Sequence, residues 1–217
     1  MFDFSSVSDA PRAHARGVFY RNHMAYRVGK RVFDLVLSIL LFPILVAIAL
    51  GLLLLNPWFN AGPLFYVQRR MGKSCAPFNA LKFRTMHSCN GPARGPEDPL
   101  ETDRITRLGR FLRQSRIDEL PQILNVLRGE MSLIGPRPDC YEHAMSYLTE
   151  VPGYRERHRV LPGISGYAQT EVGYVQGAEE TQLKVEADLY YIRHRGFALE
   201  LWLLGRTLQT VFRQNGQ

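Results

Sequence analysis

The adjacent carboxylates of Asp118 and Glu119 are the residues in this sequence best placed to do chemistry. Ser115 and Asp118 have the spacing of a capping box that opens a helix, and Pro121 favours a helix start nearby because proline is tolerated in the first turn. Either placement puts both carboxylates near a helix N-terminus, where the dipole favours negative charge and free N–H groups bind phosphate oxygens. An Asp118 that stays ionised there suits a carboxylate nucleophile or a ligand of Mg²⁺, and simple helix capping is the alternative.

Two basic residues that precede this pair have the spacing of neighbours on one face of a strand. The segments 64–67 and 78–83 are rich in β-formers and are separated by a turn of Gly, Ser and Pro, which predicts a hairpin. Two-residue alternation then puts Lys82 and Arg84 on the same face, an arrangement that suits a diphosphate. An exposed edge strand with ordinary solubilising charge would show the same pattern.

Arg137 is presented by an unusually rigid stretch of chain, because Pro136 and Pro138 fix the backbone on both sides of it. A guanidinium held in this way suits bidentate binding of a phosphate. A second set of arginines repeats along the segment 103–114, whose apolar residues have helical spacing. These are Arg104, Arg107, Arg110 and Arg113. They predict either a solvated basic face or contacts with phosphate or lipid headgroups.

The elements that must hold these side chains follow from apolar periodicity. A helix after Asp118 ends at Gly129, a short buried strand covers 131–134, and a charged helix covers 139–160.

Glycines and a second apolar stripe mark the C-terminal part of the chain. Gly163 and Gly166 predict a tight turn over 162–169, through either positive φ or a close approach to a ligand. Helices are expected over 183–192 and 197–211. The second of them fits core packing and an amphipathic helix in a membrane interface equally well.

The run 35–55 is apolar and long enough to span a bilayer, which needs about 20 such residues. A single spanning anchor is the simplest interpretation, but Pro43 lies inside the run and would kink or break a helix. Basic residues, which prefer the cytoplasmic side, flank the run at both ends. These are Arg21, Arg27, Lys30 and Arg31 before it, and Arg69, Arg70, Lys73, Lys82 and Arg84 after it. A re-entrant helix that bends near Pro43 satisfies both flanks.

Composition sets broad limits on the partners. The 217 residues carry 27 Lys and Arg against 20 Asp and Glu, a net charge of +7 that favours nucleic acid, an anionic membrane or phosphorylated substrates. Cys75, Cys89 and Cys140 lack the spacing of a metal site, so we expect free thiols in a reducing compartment.

Taken together, the motifs resemble those of a known family. Those that carry the resemblance are Lys82–Met86, Ile117–Gln122, Met131–Pro138, Pro162–Gly166 and Asp188–Tyr191, in this order. The chain resembles the bacterial sugar transferases, which are monotopic phosphoglycosyl transferases that act on polyprenyl phosphate, over roughly residues 28–213. The resemblance is to the subgroup tied to exopolysaccharide synthesis.

This resemblance implies an α+β, predominantly helical fold with a re-entrant membrane helix-break-helix, a small β-hairpin and amphipathic interfacial helices. It implies a polar arm over 1–27, a membrane hairpin over 28–59 broken at Pro43, and a cytoplasmic catalytic domain over 60–217. The implied reaction moves a sugar 1-phosphate from a UDP-sugar to polyprenyl phosphate at the bacterial inner membrane, and it uses Mg²⁺.

The resemblance also assigns roles to particular residues. It makes Asp118 and Glu119 the catalytic pair, with Asp118 also the Mg²⁺ ligand. The implied phosphate-binding residues are Lys82, Arg84, Arg113, Arg137 and Arg157, and further substrate contacts are Gln169 and Asp188. A homodimer is left open, and nucleic acid is not an implied partner.

Two departures from the family pattern concern the substrate contacts. Leu161 stands where the family often has Lys, and the loop Thr170–Tyr174 is one residue longer than usual and lacks its arginine. A membrane-anchored nucleic-acid-binding protein and a silent scaffold for polysaccharide assembly are the rival interpretations. No helix-turn-helix or RNA-binding aromatic pattern supports the first, and the intact Asp118–Glu119 pair argues against the second.

Overall fold

The computed structural model describes residues 23–87, 101–173 and 177–212 of the chain. The helices are α1 His23–Phe59, α2 Arg107–Gln114, α3 Gln122–Arg128, α4 Tyr141–Glu150, α5 Tyr167–Glu171, α6 Gly177–His194 and α7 Phe197–Phe212. The strands are β1 Phe65–Met71, β2 Pro77–Phe83, β3 Ser132–Ile134 and β4 Gly163–Ser165. The α+β, predominantly helical fold with a small hairpin is thereby confirmed. The prediction for the arm 1–27 falls almost wholly outside the described residues.

The four strands form two small two-stranded sheets. Strands β1 and β2 form the predicted antiparallel hairpin, with Tyr66 opposite Lys82. Strands β3 and β4 pair in parallel, with Ser132 opposite Gly163. The expectation of a tight turn over 162–169 was therefore wrong, because this segment forms β4 and then α5.

Glycine is nevertheless required in and directly after β4, because the backbone here lies very close to the backbone of Gly135. A Cβ added to Gly163 would lie 2.1 Å from the backbone nitrogen of Gly135. Gly166 approaches Gly135 as closely, since its added Cβ would lie 2.4 Å from that residue's carbonyl oxygen. Neither glycine has a positive φ, so the approach of two backbones, rather than a left-handed turn, excludes a side chain here.

Helix α1 is long and apolar enough to cross a membrane, with a mean hydropathy of 2.9 over its most apolar window. It continues through Pro43 without ending, so the predicted break is at most a bend in one helix. At about 1.5 Å per residue its 37 residues extend well beyond the roughly 30 Å of a bilayer core. The re-entrant path through a membrane stays a prediction.

One stripe of α1 packs on the rest of the protein, and the opposite side is exposed. Leu45 and Leu52 are buried in a cluster with Phe83, Leu112 and Ile123. The exposed side carries large apolar residues, among them Leu40 and Leu54, which are 64% and 72% exposed. Such a surface suits contact with lipid.

Helix α7 follows the same division. Leu203 is buried. Of the predicted stripe, Phe197, Leu201 and Leu208 are 43%, 56% and 49% exposed, and Leu204 is half-buried. This placement favours the amphipathic interfacial interpretation over core packing. The expected free thiols are confirmed for Cys75 and Cys140, and Cys89 lies outside the described residues.

Candidate active site

The turn that carries Asp118 and Glu119 follows the end of α2, where the chain changes direction. Ser115 donates its hydroxyl to the carbonyls of Phe111 and Leu112, so it caps the end of α2. The predicted capping box is therefore wrong. Arg116 then adopts a left-handed conformation with φ 58°, which starts a single 3₁₀ turn at Ile117–Glu119.

Helix α3 starts directly after this turn, at Gln122. The expected position of both carboxylates just before a helix is confirmed, although α3 has only seven residues. Ile117 and Leu120 pack against the apolar cluster that includes Leu45 and Leu112. The apolar residues of the turn thus anchor it to α1 and α2, and the two carboxylates stay at the site.

Glu119 is surrounded by cations. Lys82 Nζ lies 2.8 Å from its Oε1, and Arg137 donates to both carboxylate oxygens, with Nη1 at 2.9 Å from Oε2. Arg116 Nη1 lies 3.8 Å from Oε2. Burial would raise the pKa of Glu119, but Arg137 and Lys82 outweigh it and hold this pKa well below its usual range. Glu119 is therefore ionised and fully occupied by protein partners.

Asp118 is as buried as Glu119, at 7% exposure, but its surroundings differ. Among the described residues, none donates a hydrogen bond to its carboxylate or lies at ion-pair distance from it. Burial and then the negative charge of Glu119 raise the pKa of Asp118, while Lys82, Arg137 and Arg113 oppose that rise. The expectation that Asp118 stays ionised stays a prediction, and desolvation, which the helix-terminus argument left out, acts against it.

Arg113 faces the same region from α2 and is held by neutral groups. Its Nε donates to the hydroxyl of Thr85 at 3.0 Å, and its Nη2 lies 2.9 Å from the sulfur of Met86. Its positive charge is thus oriented by these contacts, and no carboxylate of the described residues lies at ion-pair distance from it. Such a charge is suited to a substrate phosphate.

Arg70 is a further cation of this site that sequence reasoning missed. It lies on β1, and its guanidinium donates to Gln68 and to the carbonyl of Pro138. Burial and then the charge of Arg137 lower the pKa of Arg70, with Glu119 among the groups that oppose the change. Since Arg70 pairs with Phe78 in the hairpin, the same alternation that singled out Lys82 would have found it if the strand had been extended to Met71.

Arg84, in contrast, does not join Lys82. It follows β2 and is buried, and its guanidinium donates to the carbonyls of Pro63 and Asn60. It also packs on Gly62, where an added Cβ would lie 2.9 Å from the guanidinium. The expected shared face was wrong, because Arg84 lies beyond the end of the strand and ties it to the segment after α1.

Arg157 and Asp188 were expected to contact substrate, and the structure places them together in the interior. They are 1% and 0% exposed, and Arg157 Nε donates to Asp188 at 2.8 Å. This burial argues against direct contact of either side chain with a phosphate. Gln169 lies in α5, and its Oε1 is buried without a hydrogen-bond partner among the described residues, so its expected substrate contact stays a prediction.

The altered loop is described only in part. Thr170 and Glu171 belong to α5, Gly173 has a positive φ of 88°, and Tyr174 lies outside the described residues.

The carboxylates fit a magnesium ion that is held partly by the substrate. Within 23–87, 101–173 and 177–212, no group of three or more His, Cys, Asp or Glu side chains could hold a metal. Mg²⁺ does not need one, because it is usually held by one or two carboxylates together with substrate phosphates and waters. The Asp118 carboxylate meets this requirement, whereas the oxygens of Glu119 are taken by cations.

Comparison with known proteins shows the family of this chain. The sequence profile of the family described as bacterial sugar transferase matches residues 25–214. The chain is 38% identical over 187 residues to a UDP-N-acetylgalactosamine-undecaprenyl-phosphate N-acetylgalactosaminephosphotransferase of Aeromonas hydrophila, covering 86% of this chain and 44% of that one. It is 40% identical to a UDP-glucose:undecaprenyl-phosphate glucose-1-phosphate transferase of Caulobacter vibrioides, covering 88% of this chain and 69% of that one. An exopolysaccharide production protein of Rhizobium leguminosarum is 34% identical, with 82% and 92% covered.

Proposed function

We propose that this chain, which belongs to the bacterial sugar transferase family, moves a sugar 1-phosphate from a UDP-sugar to undecaprenyl or another polyprenyl phosphate. Its product would start the synthesis of an exopolysaccharide or glycoconjugate. The observation that carries the proposal is the difference within the carboxylate pair. Asp118 is buried and no described residue pairs with it, while its neighbour Glu119 forms ion pairs with Lys82 and Arg137. The names of the relatives supply the donor and acceptor classes.

In the first step, an oxygen of Asp118 attacks the phosphorus that bears the sugar. The bond between that phosphorus and the bridging oxygen of the diphosphate breaks, and UMP leaves with the bonding electrons. A covalent aspartyl phosphosugar remains. No proton has to move in this step, because Asp118 attacks in its carboxylate form.

In the second step, an oxygen of the polyprenyl phosphate attacks the same phosphorus. The bond between phosphorus and Asp118 breaks, which restores the carboxylate and releases polyprenyl diphosphate sugar. The two substrates use the site in turn, so a single set of cations serves both.

The charges around Asp118 address the main difficulty of this chemistry, which is that a carboxylate must approach a polyanion. Lys82 and Arg137 lie on the Glu119 side, and Arg113 approaches from α2. Because these cations are preorganised and largely buried, they stabilise developing charge more than they would in solution. Mg²⁺, when bound through Asp118 and the substrate, would neutralise further phosphate charge. Glu119 keeps the cations in place.

The same proposal places the site at a membrane. Helix α1 and the exposed apolar side of α7 would hold the catalytic part at headgroup depth, where the phosphate of the lipid acceptor lies. The membrane is expected to be the bacterial inner membrane, with the catalytic part on its cytoplasmic face.

The test is UMP release from a panel of UDP-sugars that starts with UDP-glucose and UDP-N-acetylgalactosamine, with undecaprenyl phosphate and Mg²⁺ present. We expect turnover of at least one donor, loss of turnover after chelation of Mg²⁺, and none in Asp118→Asn. Asp103→Asn is the matched control, because Asp103 is an exposed aspartate. Near-normal turnover of Asp118→Asn would contradict the assigned nucleophile, and no turnover of any donor by the wild type would contradict the function.

A further inference from the structure

The segment Pro136–Asp139 carries Arg137, and the carbonyl of each of its residues accepts a hydrogen bond. The donors are Gly163 N to Pro136 at 3.0 Å, Arg157 Nη2 to Arg137 at 2.7 Å, Arg70 Nη1 to Pro138, and Met71 N to Asp139 at 3.1 Å. The backbone of this segment is therefore held on every side. The one donor in the set that reaches the carbonyl of Arg137 itself is the buried side chain of Arg157.

Arg157 is bound by groups from two parts of the chain, the segment Pro136–Asp139 and helix α6. Its Nη1 lies 2.5 Å from Asp139, its Nη2 lies 2.7 Å from Asp188 of α6, and the same Nη2 donates to Arg137. Lys184 adds a second cation to Asp139, and the hydroxyl of Tyr154 donates to that carboxylate at 2.7 Å. Two cations and two carboxylates balance one another, so this cluster needs no substrate anion to neutralise it.

Such a cluster is costly to bury, and this cost indicates a role other than plain stability. Taking charges out of water is unfavourable for each ion, and an apolar replacement of a buried ion pair is often neutral or stabilising. The cluster does, however, provide geometry. A planar guanidinium can address two carboxylates and a carbonyl at once in fixed directions, which a lysine cannot do.

We propose that Arg157 is a positioning residue that acts on the reaction through Arg137. Its hydrogen bond fixes the carbonyl of Arg137, and the orientation of that backbone sets the direction of the Arg137 side chain. Pro138 already restricts the backbone of Arg137, and the bond from Arg157 removes the remaining freedom. The Arg137 guanidinium is thereby kept on Glu119 and near the carbonyl of Ile164, at 3.4 Å. This role rests on the proposed transferase function.

A double-mutant cycle separates this role from general stabilisation. Arg157→Lys keeps the charge balance and removes only the planar fork, and Arg137→Lys removes the group through which it would act. We expect Arg157→Lys to lower kcat/KM for UMP release by about ten-fold or more in the wild-type background. In the Arg137→Lys background, the same change should cost less than about two-fold, because coupled residues are not additive. Arg159→Lys is the matched control and should leave activity unchanged, since Arg159 has a side chain that is 73% exposed.

The outcomes decide between the possibilities. An equal loss in both backgrounds, with an active wild type, would overturn the positioning role and leave the proposed function intact. A wild type that releases no UMP from any donor would overturn the function and this role with it. If Arg157→Lys does not fold by thermal unfolding, Asp188→Asn replaces it in the same cycle, because it loosens the same guanidinium while preserving volume.

Discussion

At the scale of single residues, two neighbouring carboxylates with nearly equal burial have opposite electrostatic surroundings. Glu119 is paired with Lys82 and Arg137, whereas no described residue pairs with Asp118. A nucleophile must keep its oxygens available, and an anchor for cations must not. We therefore propose different roles for the two side chains, in which Asp118 reacts and Glu119 holds the cations that receive the phosphate.

The raised pKa of Asp118 predicts how activity depends on pH. Only the carboxylate form attacks, so kcat/KM should fall as pH decreases through this pKa, at a pH above the usual value of about 3.9 for aspartate. Arg113→Gln should move this acidic limb to higher pH, because it removes one of the cations that lower the pKa of Asp118. The measurement is a pH profile of UMP release.

Arg107→Gln serves as the control in that experiment, because Arg107 is an exposed arginine of the same helix. An acidic limb at the same pH in Arg113→Gln and Arg107→Gln would contradict the electrostatic account of Asp118.

The sequence predicted the composition of the site better than the role of each residue. Lys82, Arg137 and the carboxylate pair were expected and are brought together. Arg84 and Arg157 were expected as phosphate ligands, but protein carbonyls and carboxylates bind them instead. A sequence shows where a cation occurs, but whether its partner is a ligand or a distant part of the chain depends on tertiary contacts.

At the scale of elements, Asp34 links helix α1 to the strand that leads to Arg137. It is 1% exposed, and its carboxylate accepts from Ser132 Oγ at 2.8 Å and from the backbone N–H of Leu133 at 3.2 Å. Lys30, one turn earlier, lies 2.7 Å from it. An ionisable residue within or beside an apolar segment of this kind usually has a structural or functional role. This contact makes α1 part of the support of the catalytic segment.

We expect Asp34→Ala to destabilise the protein by about 3 kcal/mol, because it leaves the buried N–H of Leu133 without this acceptor and leaves Lys30 with Glu200 as its remaining carboxylate. The loss should appear as a lower thermal unfolding midpoint in detergent and a lower rate of UMP release. Val36→Ala is the control, since Val36 is 49% exposed on the same helix. Equal unfolding midpoints for the two variants would show that the hydrogen bonds between Asp34 and β3 do not stabilise the protein.

The elements themselves were predictable to different degrees. The hairpin, α7 and the helix after Asp118 arise from local patterns and were found. Strand β4 was expected to be a turn, because its partner β3 lies about thirty residues earlier and a parallel pairing of this kind leaves no local pattern. The helix expected over 139–160 is shorter in the structure, because α4 ends at Glu150. A separate 3₁₀ segment follows at Tyr154–Arg159.

At the scale of the whole molecule, the packing of α1 bears on how the protein meets a membrane. Contacts with the catalytic part run along α1 from Arg31, which donates to the carbonyl of Val126, to the buried Leu52. At about 1.5 Å per residue this stretch is roughly 30 Å long, about the thickness of a bilayer core. A straight spanning helix would carry the polar elements packed along it into hydrocarbon, which favours a path that enters and leaves on one side.

Cysteine labelling tests that path. After replacement of the native cysteines by serine, single cysteines at Ser5 and at Gln217 should both be labelled from the cytoplasmic side of membrane vesicles. Asp103→Cys reports the side of the catalytic part, because Asp103 is exposed in it. Labelling of the two ends from opposite sides would mean that α1 spans the membrane.

The central claim is that Asp118 forms a covalent bond to the sugar phosphate. The most direct measurement is mass spectrometry of the protein after incubation with Mg²⁺ and a UDP-sugar that it turns over, without lipid acceptor and with rapid quenching. The account predicts UMP release of about one equivalent and a sugar phosphate on the peptide that contains Asp118. Full turnover with acceptor, together with an unmodified Asp118 peptide and no UMP release in its absence, would contradict it.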